Sequence, residues 1–343
     1  MELTVETVGQ YLRDQGVLAG DRPVESSRLD GGVSNRIVKV DSSEASMVVK
    51  QPLDNLAVKD DWPAEIGRIH TEAAALRVWR RLATSEVAGP IRVPEVYFED
   101  AGESIIAIEA APDTASMWKA DLLEGVLEPT IASRLGRFLG AMHRRASEDP
   151  AIQEAFASLR EFRELRLDPY HRTTARRHPD VAEAIDREID RLLENRRTLV
   201  HGDFSPKNVL VDRSTDPVTL WVLDFEVAHW GDPAFDAAFL LNHLTLKAVY
   251  HRPDSVAFLE AASRFREAYL EAVEWSLERR IVQELGVLLL ARIDGKSPVE
   301  YLTEPTAKAT VRRIGKRILR EDITDFQTMD ALVRTALDTD GGA

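Results

Sequence analysis

The sequence predicts an α+β chain in two lobes: a small antiparallel-sheet lobe with one helix set among its strands, then a larger, mainly helical lobe. Three observations lead there. Strand-like runs crowd into the first 111 residues, around one strong helical pattern. From Pro112 onward, long helical patterns dominate. Within that part, "HGDFSPKNVLV", His201 to Val211, sets polar residues between apolar runs, as strand, loop and strand would. The predicted boundaries are 1–111 and 112–343.

Residues 5–16 form a leading helix. "SSRLDGGVSNRIVKVD" and "ASMVVKQ" supply three strands, with a glycine turn between the first two. Residues 61–83 have helical period, with Pro63 near the start, where proline is tolerated. "VPEVYFED" and "SIIAIEA" give two more strands. Helices follow at 128–149, 153–166, 179–196, 233–249, 255–292 with a break, and 305–319. "TLVHGD", "NVLVD" and "TLWVLDFE" interrupt them as strands. "PYHRTTARRHPD", 169–180, is expected as a solvated loop.

Composition narrows the function. A hydrophobic fraction of 44% over 343 residues suits two lobes with real cores. The absence of cysteine excludes a disulfide scaffold, thiolate zinc and a cysteine nucleophile, and fits a reducing, cytoplasmic setting. Charge throughout the first residues argues against a signal peptide, and the lack of a long apolar run against a membrane span. A net charge of -14 argues against a nucleic-acid partner. A homodimer is left open.

The loop at 201–208 carries the chemistry. Asp203 stands five residues before Asn208, and "VLDFE" brings Asp224 and Glu226 after an apolar strand. Phosphoryl transfer to a hydroxyl needs a carboxylate to orient the acceptor and take its proton; Asp203 suits that. It needs hard oxygen ligands for the magnesium that bridges ATP phosphates; Asn208, Asp224 and Glu226 suit that. The spacing meets the protein-kinase form H-x-D-x-x-x-x-N in full, while Glu226 replaces the glycine of D-F-G. Singly, each residue has a plainer reading as a cap, a turn or a packed histidine.

The first lobe supplies matching parts. "LDGGVSNRIVKV" offers Gly31, Gly32, Ser34 and Asn35 as a turn over phosphates, or as a simple hairpin. Lys50 lies on the third strand, and Glu72, among apolar neighbours, needs a partner such as Lys50. The backbone from Glu109 to Ala111 is the expected adenine edge. "DGKS", 294–297, is no P-loop, since Leu290 stands where glycine is needed.

Together these motifs resemble the aminoglycoside phosphotransferase and choline kinase superfamily, across nearly the whole chain. The resemblance implies a bilobal protein-kinase-like fold, ATP and Mg2+ as cofactors, and a small hydroxylated acceptor. Only four residues separate "DFE" from "GDPAFD", leaving no room for an activation segment and disfavouring protein substrates. In "GDPAFDAAFLL", Asp232 and Asp236 look structural. Within the superfamily the chain looks most like methylthioribose kinases. "VVKQPLDNL", "DDWPAEIGRIHTEAAAL" and "DFE" are similar to their lysine strand, tryptophan-bearing loop and D-x-E motif. "TVRRIG" looks like their sugar-binding arginine pair, which maps to Arg312 and Arg313. Asn208 departs from the serine of those kinases and follows the wider superfamily.

The expectation is therefore a kinase of a small neutral sugar, with Trp62 adding an apolar face and Arg312 and Arg313 donating to hydroxyls. On the plainer reading, Trp62 packs in the core and the arginines face water. An antibiotic kinase and a nucleotide-binding pseudokinase scaffold are the alternatives. The second is disfavoured because Lys50, Glu72, Asp203, Asn208 and Asp224 are all present.

Overall fold

Apolar and polar residues alternate along 35–52, and a half-buried antiparallel ribbon results. Strands β1 (Glu25–Arg28), β2 (Asn35–Asp41), β3 (Ser46–Pro52), β5 (Val96–Asp100) and β6 (Ile105–Glu109) form one sheet in the order β1-β2-β3-β6-β5. Its inward side chains Val38, Val40, Met47, Val49 and Ala107 pack on Leu3, Val8 and Leu12 of the leading segment, whose helix α1 spans Val8–Asp14. Helix α2 (Arg68–Leu82) buries Ile69, Glu72, Ala73 and Leu76, and Trp79 meets Phe225 edge to face at 5.0 Å.

This is a computed structural model, which describes residues 2–20, 23–29, 35–53, 65–84 and 89–339. Gly31, Gly32, Ser34 and Trp62, and the first part of the helix expected at 61–83, lie outside the described residues. The chain divides into two units, Met1–Ser116 with Leu210–Ala228, and Met117–Val209 with His229–Ala343. The segment 210–228 thus groups with the first unit. Its strands β9 (Val209–Asp212) and β10 (Thr219–Val222) share a sheet with β4 (Ile91–Arg92) and β7 (Ala115–Met117).

The second unit is helical apart from a two-stranded pairing of β8 (Thr198–Val200) with β11 (His229–Gly231). The helix expected at 179–196 is α7 (Ala182–Glu194). Helix α8 (Ala234–Tyr250) is buried from Ala234 to Val249, which fits a helix apolar on nearly every side. Helices α4 (Pro129–Ala146) and α9 (Ser255–Val273) approach so closely that a side chain at Gly136 would strike the Phe265 carbonyl. The break expected within 255–292 falls at Glu274, whose φ of 58° ends α9 before α10 (Glu278–Asp294) begins.

One expectation fails. The stretch expected as a loop at 169–180 is helical as far as Arg177, through a π-helical run Arg163–Arg172 and a short α-turn Thr173–Arg177. Leu165, Leu167, Pro169, Tyr170 and His171 are buried there. The wider π-turn relieves the clash between the Pro169 ring and the carbonyl four residues earlier, so proline does not end the helix. The helix expected at 153–166 is split into α5 (Pro150–Ala155) and this element, α6 (160–177). Helix α11 (Pro305–Arg320) runs one residue past its expected end. The sequence pattern did not single out α3 (Trp118–Leu123) or α12 (Phe326–Thr339).

Candidate active site

In the first unit, charge gathers around Lys50. β3 pairs Lys50 with Ile37 on one side and Ile106 on the other, which fixes the direction of its side chain. Lys50 Nζ lies 2.5 Å from Glu72 Oε1 and 3.6 Å from Asp224 Oδ1. Glu72 is fully buried, so the partner expected for it is the partner it has. Asp224 has a φ of 70°, a left-handed conformation that is unfavourable for a side chain with a Cβ. Such strain persists where the surroundings impose it, and here it sets the Asp224 carboxylate beside Lys50.

Glu226 Oε2 accepts from Arg68 Nε and from Asn35 Nδ2, both at 3.2 Å. Arg68 is buried and also donates to the carbonyls of Glu65 at 2.7 Å and Leu53 at 2.8 Å. Sequence reasoning missed Arg68. The available signal was its place four residues before Glu72, on the same helix face.

Three carboxylates, Glu72, Asp224 and Glu226, thus face two cations, Lys50 and Arg68. Burial alone would depress Lys50, but Glu72, Asp224 and Glu226 outweigh it and hold the ammonium above its ordinary range. Glu72 is pushed up to about 7, first by burial and then by Asp224 and Glu226, against the pull of Lys50. Its Oε2 has no hydrogen-bond partner among the described residues. The surplus negative charge is what a divalent cation would neutralise.

In the second unit, the loop after β8 is held from below. Asp236, at the start of α8, accepts from the amides of His201 at 2.6 Å and Gly202 at 2.9 Å, and His143 Nε2 lies 3.1 Å from its Oδ2. Burial would raise the Asp236 carboxyl, yet the bond and charge of His143, with His201, keep it below its usual value. Gly202 has a φ of 78°, which lets the chain turn there without steric cost.

Asp203 Oδ2 accepts from Asn208 Nδ2 at 2.8 Å and lies 3.0 Å from Arg166 Nη2. Asn208 Nδ2 also donates to the Asp203 carbonyl at 3.0 Å, and this directs its Oδ1 away from Asp203. Arg166 Nε donates to the Gly202 carbonyl at 2.8 Å and so ties α6 to the loop. Arg166 was also missed, because nothing local marks it; its partner Gly202 lies 36 residues further on, and Asp203 follows it.

Other expected positions are placed as follows. The Glu109 amide donates to the Glu95 carbonyl at 2.8 Å, and the Ala110 amide to the Ser46 carbonyl at 3.1 Å. A recess of about 430 Å3 beside them is lined by Lys39, Glu109, Ala111, Asp212 and Trp221, among others. Arg312 forms a two-pronged bond to Asp294 at 2.7 and 2.8 Å, and Arg313 Nη2 donates to the Ala336 carbonyl at 3.1 Å.

Among the described residues, no group of three or more His, Asp or Glu side chains could hold a metal alone. Mg2+ does not need one, since it is usually held by one or two carboxylates with phosphates and water. In the first unit, Asp224, with the surplus charge of its cluster, is an oxygen donor of that kind.

Residues 25–285 match the model of the phosphotransferase enzyme family. A methylthioribose kinase from Bacillus cereus (strain G9842) is 25% identical over 274 residues, covering 72% of this chain and 67% of the relative. Another, from Bacillus thuringiensis (strain Al Hakam), is 24% identical over 367 residues, covering 92% and 90%. Amicoumacin kinase, solved with AMP-PNP and Ca2+, superposes with a TM-score of 0.58 at 17% identity, covering 95% of this chain and 97% of that one. Ethanolamine kinase from Plasmodium vivax superposes at 0.57 and 15% identity, covering 93% and 90%. These two likenesses show the protein-kinase-like fold.

Proposed function

The chain belongs to the phosphotransferase enzyme family, as an ATP-dependent small-molecule kinase acting on a hydroxyl group, and we propose that its acceptor is a small sugar of the methylthioribose kind. The observation that carries the reading is the Lys50 cluster: an ammonium held between Glu72 and Asp224, with a carboxylate in surplus.

In this reading Lys50 engages the ATP phosphates and Glu72 holds it in place. Gly31, Gly32, Ser34 and Asn35 serve the phosphates, and the backbone from Glu109 to Ala111 receives adenine. Asp224, Asn208 and Glu226 would hold Mg2+, which supplies neutralisation of charge on the phosphates. Asp203 accepts a hydrogen bond from the acceptor hydroxyl and orients its oxygen toward the γ-phosphorus. A bond forms between that oxygen and phosphorus, the bond to the β-γ bridging oxygen breaks, and ADP leaves. The hydroxyl proton passes to Asp203. Arg166 and Asn208 fix the Asp203 carboxylate, so the step depends on positioning. On the acceptor side, Trp62, Arg312 and Arg313 form the wall in this reading. Arg312 is paired with Asp294 and Arg313 donates to the Ala336 carbonyl, so each would exchange that bond for one to the acceptor.

The test is ADP release from ATP and Mg2+ with methylthioribose, other pentoses, ethanolamine and aminoglycosides as acceptors. Turnover of a pentose supports the proposal. Turnover of kanamycin or neomycin with silence toward every sugar replaces it with an antibiotic kinase, and ATP binding without transfer to any acceptor favours a pseudokinase.

A further inference from the structure

The second unit buries a group of donors that the catalytic scheme leaves unused. Lys247, on α8, is fully buried, and its Nζ has no hydrogen-bond partner among the described residues. It lies 5.0 Å from the ring of Tyr301, whose hydroxyl is also buried and without a hydrogen-bond partner among the described residues. Arg292, on α10, donates through Nη1 to Tyr170 Oη at 3.0 Å and to the Ser297 carbonyl at 2.5 Å, while its Nε is buried without a partner among the described residues. His243 sits one turn before Lys247 on the same face of α8. Lys119 adds a further positive charge, and its ion pair with Glu300 is the compensation on hand.

Charge agrees with geometry. Burial, then Lys119 and Arg292, push Lys247 down to about 7 against the pull of Glu300. Burial, then Arg292, Lys247 and Lys119, drive His243 well below its usual range. Among those charges is Lys207, in the catalytic loop next to Asn208. A neutral amine would ease the charge but leave the Tyr301 hydroxyl and Arg292 Nε still facing no acceptor. Buried polar groups are ordinarily satisfied, and three donors with no oxygen opposite call for an anionic one.

The group is linked to Asp203 through Tyr170 and Arg166. The Tyr170 ring has the Arg166 guanidinium on it at 5.6 Å and that of Arg292 at 5.6 Å, and Arg166 pairs with Asp203. We infer that Lys247, Tyr301 and Arg292 form a subsite for a carboxylate or phosphate group of the acceptor molecule whose hydroxyl is oriented by Asp203. The inference rests on the kinase reading above and changes its acceptor from a neutral sugar to a hydroxylated compound with an anionic group. It also opposes cationic acceptors, which Lys247, Lys119 and Arg292 would repel.

The experiment uses the whole protein with ATP and MgCl2 and matched acceptors: ribose and methylthioribose as neutral members, ribonate as the carboxylate, ribose 5-phosphate as the phosphate. Expected is a kcat/KM at least about 10-fold higher for an anionic member, the two anions deciding between carboxylate and phosphate. Lys247→Met should raise the KM for that acceptor about 10²-fold, as expected when one member of a buried charge pair is removed, and Tyr301→Phe about 10-fold. The KM for ATP should change less than about 2-fold in both. Tyr301→Phe carries the test alone if Lys247→Met does not fold. Preference for a neutral sugar, with its KM unmoved by both variants, overturns the inference and leaves the kinase reading standing. If no acceptor is phosphorylated, titration calorimetry with inorganic phosphate and with acetate decides. Binding that disappears in Lys247→Met supports the subsite although the kinase reading has failed, and absence of binding in the parent overturns it.

Discussion

Around Lys50, three carboxylates confront two cations and one Glu72 oxygen has no donor among the described residues; around Asp236, both oxygens are met by amide or imidazole nitrogens. Both sites are buried. The first is left electrostatically incomplete, which is the condition for receiving a metal and phosphates. The second is complete, which is the condition for holding Asp203 still before substrate arrives. Incompleteness marks where a ligand goes, and completeness marks what must not move.

That contrast can be broken from the first side with the largest effect. Asp224→Ala should lower turnover on the order of 10³-fold at any magnesium level, measured as ADP release under saturating ATP. Activity near the parent's would mean that the surplus carboxylate is structural. Breaking the second side should cost stability as well as rate. Asp236→Ala leaves two loop amides and His143 without their acceptor, and should destabilise the fold by about 3 kcal/mol, read as a fall in Tm. An unchanged Tm would show that the loop does not depend on it.

Asp203→Asn sharpens the contrast, because it keeps the shape and removes the proposed base. Turnover should fall about 10²-fold while the KM for ATP stays within about 2-fold, and the Tm should hardly change. A loss of ATP affinity of the same size would move Asp203 from the acceptor to the nucleotide. The smallest effect concerns the unfinished charge balance. Glu72 titrates at about 7 in the folded chain against an ordinary 4.5, so the folded state holds the extra proton between those values. The parent should therefore lose stability relative to Glu72→Gln as pH rises from about 4.5 to 7, with no further change above. A Tm difference that is flat across that window would show that Glu72 is ionised throughout.

The parts of the site legible in the sequence are those set by local spacing. Asp203 and Asn208 lie five residues apart in one loop, and Lys50 sits on a strand whose alternation fixes its side. Glu72 was legible for a different reason, since a carboxylate among apolar helix residues demands a cation. Arg166 and Lys247 were not legible, because their roles come from tertiary neighbours far along the chain, while Arg68 offered only its spacing from Glu72. The π-helical run at Arg163–Arg172 was hidden by Pro169, which in a regular α-helix would signal an end. Helix α12 was passed over although its Phe326, Met329, Val333 and Leu337 recur at helical spacing, a period that could have revealed it.

The close contact of α4 with α9 has a mechanical consequence. At Gly140 an added methyl group would stand 2.7 Å from the Tyr269 carbonyl, and His143, one turn further on, leans on the Tyr269 hydroxyl at 3.0 Å while it touches Asp236. The clearance between two helix backbones is therefore the gauge that sets the seat of the loop that carries Asp203. Widening it by the width of a methyl would tilt His143 away from Asp236, and the fault would surface in the turnover step while nucleotide affinity stayed intact. A position that touches no substrate and carries no side chain would thus govern the rate through thickness alone.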